Sequence, residues 1–114
     1  MTGCIFCQIV AGARPARICF EDEHCVAFAD IHPQAPTHVL VIPRRHLASL
    51  NSATGEDEAL LGHLLLVAAQ MAKDKGIDSP GFRIVINTNP AAGQTVFHLH
   101  VHVMGGRTMR WPPG

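Results

Sequence analysis

The segment His98-Leu99-His100-Val101-His102-Val103-Met104 constrains the fold more than any other part of the chain. Imidazole and aliphatic side chains alternate there with period two. A β-strand sends successive side chains to opposite faces. His98, His100 and His102 would therefore share one face, and Phe97, Leu99, Val101 and Val103 would share the other and read as core. Imidazole has an ordinary pKa close to physiological pH, so a face lined with it suits proton transfer, nucleophilic attack or metal binding.

The remainder of the chain has the size and composition of one core. Its 114 residues, 47% hydrophobic and 16% charged, fit a single globular domain spanning 1–114. The formal net charge is zero with histidine neutral. That balance gives no steering toward nucleic acid or a membrane surface, while backbone amides could still bind a small phosphorylated ligand. No stretch approaches the ~20 apolar residues of a membrane span. The opening Met1-Thr2-Gly3-Cys4-Ile5-Phe6-Cys7 lacks a secretory pattern, so a cytoplasmic location is expected. The cysteines Cys4, Cys7, Cys19 and Cys25 then read as thiols or metal ligands and not as disulfides.

Arg17–Glu21 and Cys25–Ala29, split by Asp22-Glu23-His24, predict a hairpin. Ile31–Pro36 is a loop carrying two prolines, and Thr37–Ile42 is a β-branched run stopped by Pro43. The spacing of Leu60, Leu61, Leu64, Leu65, Ala68, Met71 and Ala72 predicts a helix from about Gly55 to Lys75. Thr54 and Asp57 form a capping pattern at its start, and Gly76 suits its end. Leu66, Val67 and Ala69 widen the apolar face, which hints at a subunit interface or one deep core. A shorter helix is expected around His46–Leu50, and a strand over Phe82–Asn87. The order of these elements favours an α+β fold with an antiparallel sheet of about five strands, one long helix and one short.

Two chemistries compete for the histidine face. Residues i and i+2 of a strand lie ~6.6 Å apart, and i and i+4 ~13 Å apart. Two imidazoles could share one zinc, but three could hardly do so without a bulge. A histidine nucleophile flanked by histidines uses all three. The attacking nitrogen must be unprotonated, so the other ring nitrogen must donate to a fixed acceptor. The neighbouring imidazoles can then handle the proton of the leaving group. Just upstream, the turn Gly93-Gln94-Thr95 can present donors to phosphate oxygens. Cys4-x-x-Cys7 suggests a thiolate metal site or a redox pair. Redox catalysis wants this motif at a helix start, and no such helix is evident; zinc wants two further ligands. Cys19 and Cys25, in the apolar hairpin, read as core.

The run Gly93-Gln94-Thr95-Val96-Phe97-His98-Leu99-His100-Val101-His102-Val103 resembles the signature of the histidine triad family. The resemblance extends through Cys4-Ile5-Phe6-Cys7, Ala29–His38, Leu61-Gly62-His63-Leu64, Gly105-Gly106-Arg107 and the ending Trp111-Pro112-Pro113-Gly114. The ending is similar to the family's histidine triad nucleotide-binding (Hint) branch. Such a resemblance implies a homodimer that binds purine nucleoside monophosphates. It further implies a purine nucleoside phosphoramidase, a hydrolase of the adenosine 5'-monophosphoramidase type, that splits P–N bonds through a nucleotidyl-histidine intermediate. On that reading His100 is the nucleophile, His98 and His102 orient and protonate, and His38 joins their network. Asp30 takes the ribose hydroxyls. Ile5, Phe6, Ile9, Ile31 and Leu40 wall the base, and Asn87, Gly93, Gln94 and Thr95 hold phosphate. Many relatives have serine where this chain has Thr95, which keeps the hydroxyl. Trp111 would reach the partner subunit's site. Some bacterial relatives add two histidines to the paired cysteines, which here gives Cys4, Cys7, His46 and His98 as a structural zinc site not required for catalysis.

Bland readings and other functions stand beside these. Asp30 could merely cap its turn, Asn87 could be a strand-end turn former, and Trp111 could pack on its own subunit. His24, His32 and His63 read as surface or structural. The alternative functions are a dinucleoside polyphosphate hydrolase, a non-catalytic nucleotide-binding regulatory module, and a metalloenzyme built on a His-x-His zinc.

Overall fold

The computed structural model describes residues 3–114. Helix α1 spans Ile5–Val10, strands β1, β2 and β3 span Ile18–Glu21, Cys25–Ala29 and Thr37–Pro43, and helix α2 spans Glu58–Asp74. Strands β4, Phe82–Val85, and β5, Val101–Gly105, complete a five-stranded antiparallel sheet in the order β1-β2-β3-β5-β4. The fold is the expected α+β class. Among the described residues no helix is long and apolar enough to cross a membrane.

Alternation along the strands decides which layer each side chain enters. Cys25 and Ala27 of β2, Val39 and Val41 of β3, and Val101 and Val103 of β5 face α2, where they meet Leu64, Val67, Ala68, Met71 and Ala72. Val26, Phe28, Leu40 and Ile42 face the other way and pack with Phe6 of α1. The sheet is thus covered by a long helix on one face and a short helix on the other. His38 and His102 belong to the α1 face, since His38 shares a strand face with Leu40, and Leu40 and His102 are paired across β3 and β5.

The amino-terminal signal of α2 works as the sequence implied, with one difference. Thr54 and Asp57 form a reciprocal capping box, but it opens a single 3-10 turn, Gly55–Asp57, and the α-helix begins at Glu58. Asp57 is buried and ion-paired to Arg45. The helix end also agrees, because Gly76 adopts a φ of +71°. Leu65 and Leu66 remain exposed on the outer side of α2.

Further along, α2 is tied to the hairpin. His63 Nε2 donates to Asp22 Oδ2 at 2.6 Å, while Asp22 Oδ1 accepts from the backbone of His24 and Cys25 at 2.8 Å each. Burial opposes ionisation of Asp22, yet the donors from His24, His63 and Cys25 hold its carboxyl well below the usual carboxylate range. Burial, then Asp22, pushes the Cys25 thiol up to about 12, so this cysteine is an inert core residue. His63 accordingly has the structural role expected of it.

Several expectations need correction. The short helix expected around His46–Leu50 is absent; Ser49 instead caps a 3-10 turn at Leu50–Ser52. The short helix is α1, starting immediately after Cys4, so the Cys-x-x-Cys motif does open a helix. The apolar residues Phe6, Ile9 and Val10 cover the sheet at helical spacing, too short a signal to stand out in the sequence. Strand β4 ends at Val85 and not at Asn87.

Candidate active site

The histidine segment is only partly a strand. β5 begins at Val101, and Val96–His98 form a bend ahead of it. Leu99, Val101 and Val103 are buried as the alternation required, but Phe97 is exposed and is not core. The bend also separates the imidazoles: His100 and His102 line a cavity on the α1 face, whereas His98 does not. His98 is fully buried with its ring turned to Cys4, Cys7 and His46.

Each imidazole has a proton placement dictated by its partners. His100 Nδ1 lies 2.8 Å from the carbonyl oxygen of His98, so Nδ1 carries the proton and Nε2 keeps a free lone pair. His38 Nδ1 accepts from the Gln34 N–H at 3.0 Å, which leaves the proton on His38 Nε2. That nitrogen lies 2.9 Å from His102 Nδ1 and 3.3 Å from Asp30 Oδ2. His102 Nδ1 is then an acceptor and its Nε2 a donor, and this Nε2 is buried with no partner among the described residues. Burial lowers the proton affinity of His38 and His100. Burial, with His100 and His38 nearby, brings His102 down to about 4. All three rings are therefore neutral at pH 7.

The cavity, about 560 Å³, joins most of the residues that the sequence singled out. Ile5, Phe6, Ile9, Ile31 and Leu40 supply its apolar wall, Asp30 and His38 one polar edge, and Gly93 and Thr95 another, beside His100 and His102. Asp30 Oδ1 accepts from the His32 N–H at 2.9 Å, which aims the carboxylate. Ile31 is 83% exposed at the mouth. Two expected phosphate holders lie elsewhere. Asn87 does not line the cavity. Gln94 is buried and its amide is committed, donating to the carbonyls of Ala48 and Val96 and accepting from Asn89 N–H. Gln94 shapes the turn, together with a left-handed Gly93 at φ +93°. Trp111 is 82% exposed, so it is not packed against the rest of its own chain. Gln34 was missed by sequence reasoning; its contribution is a backbone N–H, which no residue type signals.

A second cluster lies behind His100. His98 Nε2–H donates to Pro43 O at 2.8 Å, which directs its Nδ1 lone pair at Cys4 Sγ (3.4 Å), Cys7 Sγ (3.5 Å) and His46 Nδ1 (3.2 Å). Cys7 Sγ lies 3.3 Å from His46 Nδ1. Zinc bonds of ~2.0–2.3 Å in a tetrahedron set donor separations of about 3.3–3.8 Å. Four of the six donor separations in this set of two thiols and two imidazole nitrogens are 3.2–3.5 Å, and all the donors lie within 4.8 Å of one another, which fits that ion in type and spacing.

Comparison with known proteins agrees with this geometry. The family model of the HIT domain matches residues 11–109. An uncharacterized HIT-like protein of Synechocystis sp. is 56% identical over 110 residues, 96% of each chain. The crystal structure of a HIT family hydrolase from Legionella pneumophila aligns with a TM-score of 0.97 at 46% identity, over 98% of this chain and 100% of that one. A zinc-bound histidine triad family protein from Mycobacterium smegmatis aligns with a TM-score of 0.80 at 39% identity, over 93% of this chain and 76% of that one. The chain belongs to the HIT, or histidine triad, family and has the fold of its hydrolases.

Proposed function

We propose that the protein is a purine nucleoside phosphoramidase of the Hint branch, cleaving the P–N bond of nucleoside 5'-phosphoramidates. One observation carries this reading: His100 Nδ1–H is fixed on the His98 carbonyl, so an unprotonated Nε2 belongs to the cavity that Asp30 also lines. In the proposed reaction the His100 Nε2 lone pair forms a bond to phosphorus and the P–N bond breaks. An anionic phosphate opposite the His38–His102 pair lets that pair hold one further proton, and the leaving nitrogen takes it from His102 Nε2. Water then cleaves the nucleotidyl-His100 bond. Asp30 would bind the ribose hydroxyls, and Thr95 and the Gly93 turn would hold phosphate oxygens. Asn87 keeps a part in phosphate binding only if the loop moves toward the ligand. Gln94 serves by shaping the turn.

Zinc is proposed at Cys4, Cys7, His46 and His98 as a structural ion, with no part in bond making. The exposed Leu65, Leu66 and Trp111 would be covered in a homodimer, where Trp111 reaches the partner's site. Four free cysteines suit a reducing compartment such as the cytoplasm.

Turnover of an adenosine 5'-phosphoramidate, measured beside a diadenosine polyphosphate, tests the reading. The phosphoramidate should be the better substrate. A nucleotidyl group should be trapped on His100, and His100→Ala should abolish turnover. Normal turnover by that variant would exclude the mechanism, and preference for the polyphosphate would favour the alternative hydrolase.

A further inference from the structure

His98 connects two sites. Its ring is held by Pro43 O and faces the sulfur–imidazole cluster, and its carbonyl accepts the His100 Nδ1–H at 2.8 Å. The sheet ladder begins only at Val101. The His98 peptide is therefore held by its ring and by the neighbouring Leu99 N–H, which donates to Leu47 O. A second connection runs through α1. Phe6 sits between Cys4 and Cys7, and its ring centroid lies 5.1 Å from that of His100 and 5.9 Å from that of His98, edge-on to both. The same ring forms part of the cavity wall. The cluster thus anchors both groups that orient the nucleophile: the carbonyl that fixes its tautomer and the aromatic ring that bounds it.

We infer that Cys4, Cys7, His46 and His98 form a positioning element for His100: closing the cluster on a divalent cation holds the His98 peptide and Phe6 so that His100 keeps its proton on Nδ1 and presents Nε2. This rests on the proposed roles of His100 as nucleophile and of the cluster as a cation site. The physical reason is the crowding of donors. Without a cation, two sulfurs and two imidazole nitrogens must share protons among several alternative pairings at 3.2–3.5 Å. His98 is then free to change partner, and the carbonyl that it carries moves with it. Removing an outer-shell hydrogen-bond partner of a metal ligand typically costs 10–100-fold in metal affinity or activity, which sets the scale for coupling through His98.

Imidazole ¹⁵N NMR of the zinc-loaded protein, titrated with a chelator, tests the inference. The expected result is a protected His100 Nδ1–H signal that is lost in step with zinc release. Far-UV circular dichroism should hold steady, and single-turnover nucleotidylation of His100 should slow by about tenfold. Cys7→Ser should behave as the zinc-free protein does; if that variant fails to fold, the chelator titration decides alone. The inference is overturned if the protein binds no zinc or unfolds as zinc leaves. A His100 signal and a nucleotidylation rate that survive complete zinc release also overturn it. A His100 signal that follows zinc in a protein never nucleotidylated would support the positioning role while refuting the nucleophile.

Discussion

His38 Nε2 lies 2.9 Å from His102 Nδ1, and the direction of that hydrogen bond is set by a backbone group four residues before His38. The Gln34 N–H occupies His38 Nδ1, so His38 must donate and His102 must accept. The buried Nε2–H of His102 then has no partner among the described residues, and in the proposed reaction it serves the leaving nitrogen. Replacing His38 by Ala removes the donor and lets His102 change tautomer. General acid–base groups contribute about 10²–10⁴-fold, so His38→Ala should lower kcat by about 10²-fold. Nucleoside monophosphate affinity, measured by calorimetry, should change only a few-fold. Unchanged kcat would remove His38 from the proton path.

The pH dependence of activity and of stability should run in the same direction. His100 is held below its ordinary value by burial, which outweighs the His98 carbonyl and Asp30. His100 should stay unprotonated to lower pH than a free imidazole does, so the acid limb of the rate profile should be displaced to lower pH. His102 sits at about 4 against 6.5 when exposed. Between those values the unfolded chain binds more protons than the native protein. Stability therefore rises with pH across the window and is lost as pH falls from 6.5 toward 4, by roughly 2–3 kcal/mol for this group. Denaturant midpoints from pH 7.5 to 4 would check the sign, and His102→Asn should flatten the slope.

What the sequence made legible was whatever period or residue type announces. The period-two alternation assigned Leu99, Val101 and Val103 to the core, and the cap at Thr54–Asp57 marked the entry to α2. Three things were hidden. The bend at Val96–His98 breaks the strand, so period two wrongly placed His98 with His100 and Phe97 in the core. The six residues of α1 carry too few turns to show a helical pattern. The tautomer-setting contacts come from the Gln34 N–H and the His98 and Pro43 carbonyls, and a backbone group is available at nearly every position. Gln94 shows the opposite error: a polar residue in a phosphate-like turn proved to be committed to shaping it.

Asp30 should read the sugar. Its Oδ1 is aimed by the His32 N–H, and its Oδ2 lies 3.3 Å from His38 Nε2, leaving carboxylate lone pairs for two ribose hydroxyls. Hydrogen bonds to a charged acceptor are worth about 1.5–3 kcal/mol. Asp30→Ala should therefore weaken binding of a ribonucleoside monophosphate by about 10–100-fold and barely alter binding of the 2',3'-dideoxy analogue. Equal losses for both ligands would show that Asp30 serves the loop and not the ribose.

Asp57, a buried carboxylate, should be costly to remove. One of its carboxylate oxygens accepts the Thr54 N–H at 2.9 Å, closing the capping box, and the other pairs with Arg45. Its side chain is only 7% exposed, whereas Arg45 is 59% exposed. The exposed guanidinium limits the ion pair to a fraction of a kcal/mol, so the cap and the buried carboxylate dominate. Asp57→Ala should lose about 1–2 kcal/mol, and Arg45→Ala under about 1 kcal/mol. Thr54→Ala, which removes only the hydroxyl half of the box, should cost about 1 kcal/mol. Because Thr54 and Asp57 share one cap, the double variant should lose less than the two single losses added together. Urea unfolding of the four proteins measures this directly. Strict additivity would show that the box does not act as a unit.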